Sequence, residues 1–169
     1  MTWVAAVGLM LAAAAPDSGF SRLAVPLERQ EPERCGPAAL RMTMAYWEAG
    51  ESALAEAERA YDPALRGSLI TDLAAAARRG GFEADVRELT PDSLIALLAG
   101  GVPPIVLYQH GSWPLARGHF AVVVGWEPAA GRFVLHDGTS APRSMRRDDL
   151  ERRWRAAGSR ALIVRPAAP

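Results

Sequence analysis

Gln30-Glu31-Pro32-Glu33-Arg34-Cys35-Gly36-Pro37-Ala38-Ala39-Leu40 is the stretch on which the reading of this chain turns, because a charged, turn-rich segment gives way there to an apolar pattern of helical period. Pro37 suits a first helical turn, where its missing N–H costs little. Ala39, Leu40, Met42, Met44, Tyr46 and Trp47 then predict a largely buried helix from Cys35 to about Trp47, with Gly50 as its stop. Cys35, the only cysteine, would open that helix. A thiol at a helix start lies near unsatisfied backbone N–H groups and the positive end of the helix dipole, both of which favour the thiolate. A lone cysteine can equally be a small buried hydrophobe, so its role depends on what the rest of the chain brings to it.

Downstream of this helix, Ser52 is expected to cap a second one through about Ala60, broken by Asp62-Pro63. A third, alanine-rich helix starts at Ser68 or Thr71 and stops at Gly80-Gly81. Phe82 to Val86 alternates with a period of two and reads as a strand, and Thr90-Pro91-Asp92-Ser93 starts a fourth helix that ends at Gly100-Gly101. Beyond it, Pro104 to Tyr108, Gly118 to Trp126, Arg132 to His136 and Ala161 to Val164 are rich in strand-forming residues. Pro128-Ala129-Ala130-Gly131 turns the second of these runs into the third, and Arg147 to Arg155 predicts a short helix. Helices first and an antiparallel sheet afterwards make an α+β order, with a helical half packed on the sheet.

The 169 residues, 50% hydrophobic and 22% charged, fit one domain with a core of ordinary size. Nineteen basic residues balance nineteen acidic ones, so no net field draws the chain to nucleic acid or anionic lipid. One cysteine excludes an internal disulfide framework, and three scattered histidines without a second cysteine argue against a structural zinc site. Met1 to Ala15 is almost wholly apolar and ends in alanines, which is expected to be an export signal cleaved near Ala15; residues 16–169 are then the single folded domain. With no basic residue ahead of it, the same run also reads as a buried helix, which would leave the protein cytoplasmic. The run is short for a bilayer, so no stable membrane span is expected after cleavage.

Acyl transfer through a thiol needs a base, a group that orients the base, and donors for the oxyanion. His119 begins the strand pattern Phe120-Ala121-Val122-Val123-Val124, and Asp137 ends the next one. If those strands pair across the Pro128-to-Gly131 turn, the start of one lies beside the end of the other, which brings His119 and Asp137 together. Gln30, five residues before Cys35, offers a side-chain amide beside the Cys35 N–H as the oxyanion donor. Gly36 is expected to let substrate backbone approach closely. His110 reads as a loop residue near the cleft, and the loops Tyr61 to Ser68 and Gln109 to Arg117 as groove walls. Trp47, Trp113, Trp126 and Trp154 read as core or cleft-wall residues, and Arg146 to Arg153 as a solvated helix face.

Gln30-x4-Cys35-Gly36-Pro37-Ala38-Ala39-Leu40, then Gly118-His119-Phe120-Ala121-Val122-Val123-Val124-Gly125, then His136-Asp137-Gly138, resembles the bacteriocin-processing double-glycine peptidases and their stand-alone relatives in the papain-like clan. The resemblance spans about residues 22 to 165. It implies a papain-like α+β fold, a peptide or protein substrate, no cofactor or metal, Cys35 as nucleophile, His119 as base, Asp137 as orienting acid and Gln30 as oxyanion donor. Leader-peptide cleavage after paired glycines is implied by the same kinship. Where relatives often have proline after the aspartate this chain has Gly138, a change expected to alter only the turn. Two other functions are compatible with parts of the pattern: a gamma-glutamylcysteine transpeptidase of the phytochelatin-synthase type, and a peptide-binding or envelope-assembly module without turnover.

Overall fold

The computed structural model describes residues 21–111 and 117–168. The proposed signal at 1–15 and Trp113 lie outside them. The elements in chain order are β1 (Ser21–Arg22), α1 (Cys35–Tyr46), α2 (Glu51–Glu58), α3 (Ile70–Arg79), β2 (Phe82–Glu88), α4 (Pro91–Ala99), β3 (Ile105–His110), β4 (Arg117–Glu127), β5 (Arg132–His136), β6 (Arg143–Arg146), α5 (Arg147–Arg155) and β7 (Arg160–Pro166).

Six strands form an antiparallel sheet in the order β2-β7-β3-β4-β5-β6, and the two-residue β1 pairs with β4 beyond the end of β3. Helices cover both faces of this sheet. On one side α1, α2 and α3 pack against Ile105, Phe120, Val122, Val124, Leu162 and Val164. On the other, α4 and α5 pack against Val106, Tyr108, Ala121, Val123, Phe133, Leu135 and Ala161 through Leu94, Leu98, Leu150 and Trp154. Burial on both faces explains why β3, β4 and β7 read as continuous apolar runs rather than alternating ones.

Local signals act largely as the residues suggest, with four differences. Thr90 caps α4 by accepting the Ser93 N–H, as its Thr-Pro-Asp-Ser context predicts. The second helix, however, begins at Glu51 with Gly50 at its N-cap, so Ser52 lies inside it and does not cap it. Neither candidate start of α3 is its cap, which is Leu69 in an extended conformation without a side-chain bond. The Arg143–Arg146 strand escapes pattern reading altogether, because three of its four residues are exposed and it lies at the sheet edge, held by pairing with β5. The solvated helix face at Arg146 to Arg153 is only part of the truth, since α5 buries Leu150 and Trp154.

Candidate active site

Cys35 opens α1, and its half-buried thiol lies on a cleft of about 620 Å³ together with Gln30, His110, Gly118, His119 and Phe120. The segment Leu65 to Leu69, whose two leucines are exposed, also lines the cleft. A salt bridge from Arg66 to Glu33, with Tyr61 also donating to Glu33, ties this wall to the segment before the cysteine. Arg66 and Glu33 both have positive φ, 51° and 66°, so two locally unfavourable backbone conformations meet at one ion pair.

Gly36 serves packing rather than substrate access. It is buried, and a Cβ there would come within 2.8 Å of Ser68 Oγ and 3.3 Å of the Leu73 side chain, so its missing side chain lets α1 seat against the start of α3.

The charge state of the thiol also differs from the helix-start expectation. The backbone N–H groups of Phe120, Gly36 and Cys35 act to lower its pKa, but burial acts more strongly and pushes it above the ordinary thiol value. His119 is held below the ordinary imidazole value, chiefly by burial and in part by neighbouring His110. Both shifts favour the uncharged forms, a thiol and a neutral imidazole.

The β4–β5 hairpin brings His119 to Asp137, but through the main chain. The register pairs Val122 with His136 and Val123 with Leu135, so the start of β4 lies beside the residue following β5. There His119 Nε2 lies 3.0 Å from the Asp137 backbone carbonyl. A carbonyl oxygen only accepts, so Nε2 carries the proton and Nδ1 is left as the basic nitrogen. The Asp137 carboxylate is engaged elsewhere. Its Oδ1 accepts from Thr139 Oγ1 at 2.7 Å and from the Thr139 N–H at 3.4 Å, and its Oδ2 accepts from Arg143 at 2.9 Å. These bonds hold its pKa below the usual carboxylate value against the opposing effect of burial. The carboxylate thus stiffens the 137–143 turn, whose first carbonyl receives the histidine.

Gly138 does more than complete that turn. Its φ is +79°, and an added Cβ would lie 2.1 Å from Gln30 Oε1, 2.3 Å from Cδ and 2.5 Å from Cγ. The Gln30 N–H also donates to the Gly138 carbonyl at 3.0 Å. The bare Cα of Gly138 is therefore the surface on which the Gln30 side chain rests, a packing role that no turn rule signals.

His110 is not a loop residue. It ends β3, its ring centroid lies 5.3 Å from that of His119, and it separates the cleft from a second depression on the α5 side. Tyr108 stands opposite His119 in the β3–β4 register and meets its ring edge-on at 5.5 Å. Register alone would have identified Tyr108, two residues before His110, as a neighbour of His119. Of the two segments expected as groove walls, Leu65 to Ser68 lines the cleft, while His110 and Arg117 reach it from strand ends. Among the described residues there is no cluster of three or more histidine, cysteine or acidic side chains suited to a metal ion.

Comparison with known proteins agrees with this architecture. The profile of the peptidase C39 family matches residues 25–168. A double glycine motif protease from an AMS/PCAT transporter, solved with its leader peptide, is 22% identical, with a TM-score of 0.66 over 87% of this chain and 95% of that one. The peptidase domain of Streptococcus ComA, a bifunctional ABC transporter of a quorum-sensing pathway, is 20% identical, with a TM-score of 0.67 over 85% and 99%. A C39-like peptidase from Bacillus anthracis is 15% identical, with a TM-score of 0.69 over 90% and 100%. No curated protein sequence matches the chain.

Proposed function

The chain belongs to the peptidase C39 family and is a cysteine peptidase of papain-like α+β fold, and we propose that it cleaves peptide bonds with Cys35 as nucleophile and His119 as base. The observation that carries this reading is the shared cleft: the thiol at the α1 start lines the same cleft as His119, whose Nε2 is tied to the Asp137 carbonyl. In the resting site both groups are neutral, so the thiol proton passes to Nδ1 of His119 as sulfur attacks the substrate carbonyl. The resulting imidazolium then protonates the leaving amine. Water hydrolyses the thioester in the second half of the cycle, with His119 again as base.

Gln30 is assigned as the side-chain donor to the oxyanion, with the Cys35 N–H as its backbone counterpart. Asp137 orients His119 through its carbonyl, and its carboxylate holds the turn that presents that carbonyl. Peptide leaders of the kind bound to the double glycine motif protease are the substrate class proposed first. In this scheme residues 16–169 work as one peptidase domain after loss of an N-terminal export signal.

Purified protein lacking residues 1–15 is to be incubated with a peptide library and the products read by mass spectrometry. Cys35→Ala and His119→Ala are expected to lower turnover by roughly 10³-fold or more while leaving the fold intact. Wild-type turnover in either variant overturns the assignment of that residue. Release of glycine from glutathione, with no cleavage of ordinary peptides, would instead favour a transpeptidase.

A further inference from the structure

Across His110 from the reaction cleft lies a second depression of about 420 Å³, lined largely by side chains of β6 and α5. Four arginines line it, Arg132, Arg143, Arg146 and Arg153, with one acidic residue, Asp149. Asp149 is paired with Arg152 at 2.6 Å, Arg143 with the Asp137 carboxylate at 2.9 Å, and Arg132 donates to Ser144, which leaves Arg146 and Arg153 as the uncompensated charges. Among the described residues Arg146 has no carboxylate partner, and Arg153 donates only to the Gln109 and Gly111 carbonyls.

Tyr108 supplies a second, independent sign. It belongs to the wall of this depression and is fully buried, yet its hydroxyl has no hydrogen-bond partner among the described residues. The hydroxyl lies beside Arg143 without an aligned bond, and burial together with the Asp137 charge pushes its pKa up to about 12, so it remains a donor. Buried donors without acceptors are rare in folded proteins and call for a missing partner. Arginines that line the same depression as such a donor are complementary to an oxyanion.

We infer that this arginine-lined depression is a binding site for an acidic side chain of the same peptide whose scissile bond occupies the reaction cleft. The inference rests on the peptidase reading and names a substrate class for it: peptides with Asp or Glu at a fixed distance from the cleaved bond. His110 is the hinge of the argument, since it lines both cavities and so makes them adjacent parts of one surface. A free oxyanion such as phosphate has the same chemistry, and the experiment separates the two sources.

The Cys35→Ala protein, which cannot turn over, is to be equilibrated with a random peptide library, and the retained peptides sequenced by mass spectrometry. Enrichment of Asp or Glu at one position is expected. For the best retained peptide, replacing that acid by its amide should weaken binding by about tenfold, the scale of a charge-assisted hydrogen bond. Arg146→Ala, an exposed change, and Arg153→Ala should each erase most of the acid preference, while an amide-containing peptide binds them as it binds the parent. Equal binding of acid and amide peptides overturns the inference. So does a result in which inorganic phosphate stabilises the protein through these arginines while peptide binding ignores charge. If the protein with Cys35 intact binds acidic peptides through the arginines but cleaves none, the depression keeps its assignment and Cys35 loses its own.

Discussion

Gly138→Ala is expected to lower kcat of the peptidase by about 10²-fold with little change in KM, because the new methyl displaces Gln30. The added Cβ would stand 2.1 Å from Gln30 Oε1 and 2.3 Å from Cδ. Ordinary contact between such atoms needs about 3.5 Å, so the amide must retreat by more than ~1 Å. A displacement of that size in a positioned group can cost about 10²-fold, and complete loss of an oxyanion donor about 10² to 10³-fold, or roughly 3 to 4 kcal/mol. A separate cost comes from φ of +79°, which a residue with a Cβ adopts at about 1 to 2 kcal/mol. For a domain of this size that lowers Tm by roughly 2 to 8 °C.

A double-mutant cycle separates the two effects. Turnover and melting are measured for Gly138→Ala, Gln30→Ala and the pair. If Gly138 acts on catalysis through Gln30, the paired variant should turn over no more slowly than Gln30→Ala alone, whereas the backbone strain persists in both. Additive losses in kcat, or a Gly138→Ala enzyme as fast as the parent, would refute the reasoning about Gly138. A Gln30→Ala enzyme with full kcat would instead remove Gln30 from the oxyanion site.

Asp137→Asn keeps the carbonyl that holds His119 but loses the ionic bond to Arg143, whose side chain is 44% exposed; discounting for that exposure, the loss is about 1 to 2 kcal/mol, seen as a Tm several degrees lower with kcat reduced less than tenfold. A kcat loss above about 100-fold at unchanged Tm would mean that the carboxylate itself holds the histidine. The acid limb of kcat/KM should fall below the ordinary histidine value of about 6.5, since His119 works when neutral and its pKa is lowered; a limb centred above 7 contradicts the buried base. Stability should decline on acidification in two stages. His119 and His136 are both held below the ordinary imidazole value, so the unfolded chain binds more protons as pH falls through about 6.5, and the lowered Asp137 adds a further loss below about 3.9. Urea melts between neutral pH and about pH 2.5 test both stages, and stability that rises on acidification would refute them.

Much of the site was legible because its chemistry sits on local structure. Cys35 is placed by a helix start that Pro37 and the apolar period announce, and His119 and Asp137 by a hairpin whose turn is visible as Pro128 to Gly131. What could not be read was which atoms meet. Pairing of β4 with β5 brings Asp137 to His119, but whether the carbonyl or the carboxylate faces the ring depends on Thr139 and Arg143 competing for the carboxylate, a question of side-chain packing rather than register. His110 looked like a loop residue because Gln109-His110-Gly111 is polar, yet the β3–β4 ladder extends to it.

The α+β order and the extent of most helices and strands were legible in the sequence, and so were Gln30, Cys35, His119 and Asp137 as the candidates, because helical period, turns and strand runs act over a few residues. Tertiary structure alone decided the rest. Burial set the protonation of Cys35 and His119, since desolvation depends on everything packed around a group. Close approach of distant segments made Gly138 the support of Gln30 and Gly36 the seat of α1 against α3. Edge pairing created β6, and with α5 it gathered arginines scattered through the last third of the chain into one depression next to the cleft of Cys35 and His119. Those outcomes depend on contacts between residues far apart in the chain, which no local pattern encodes.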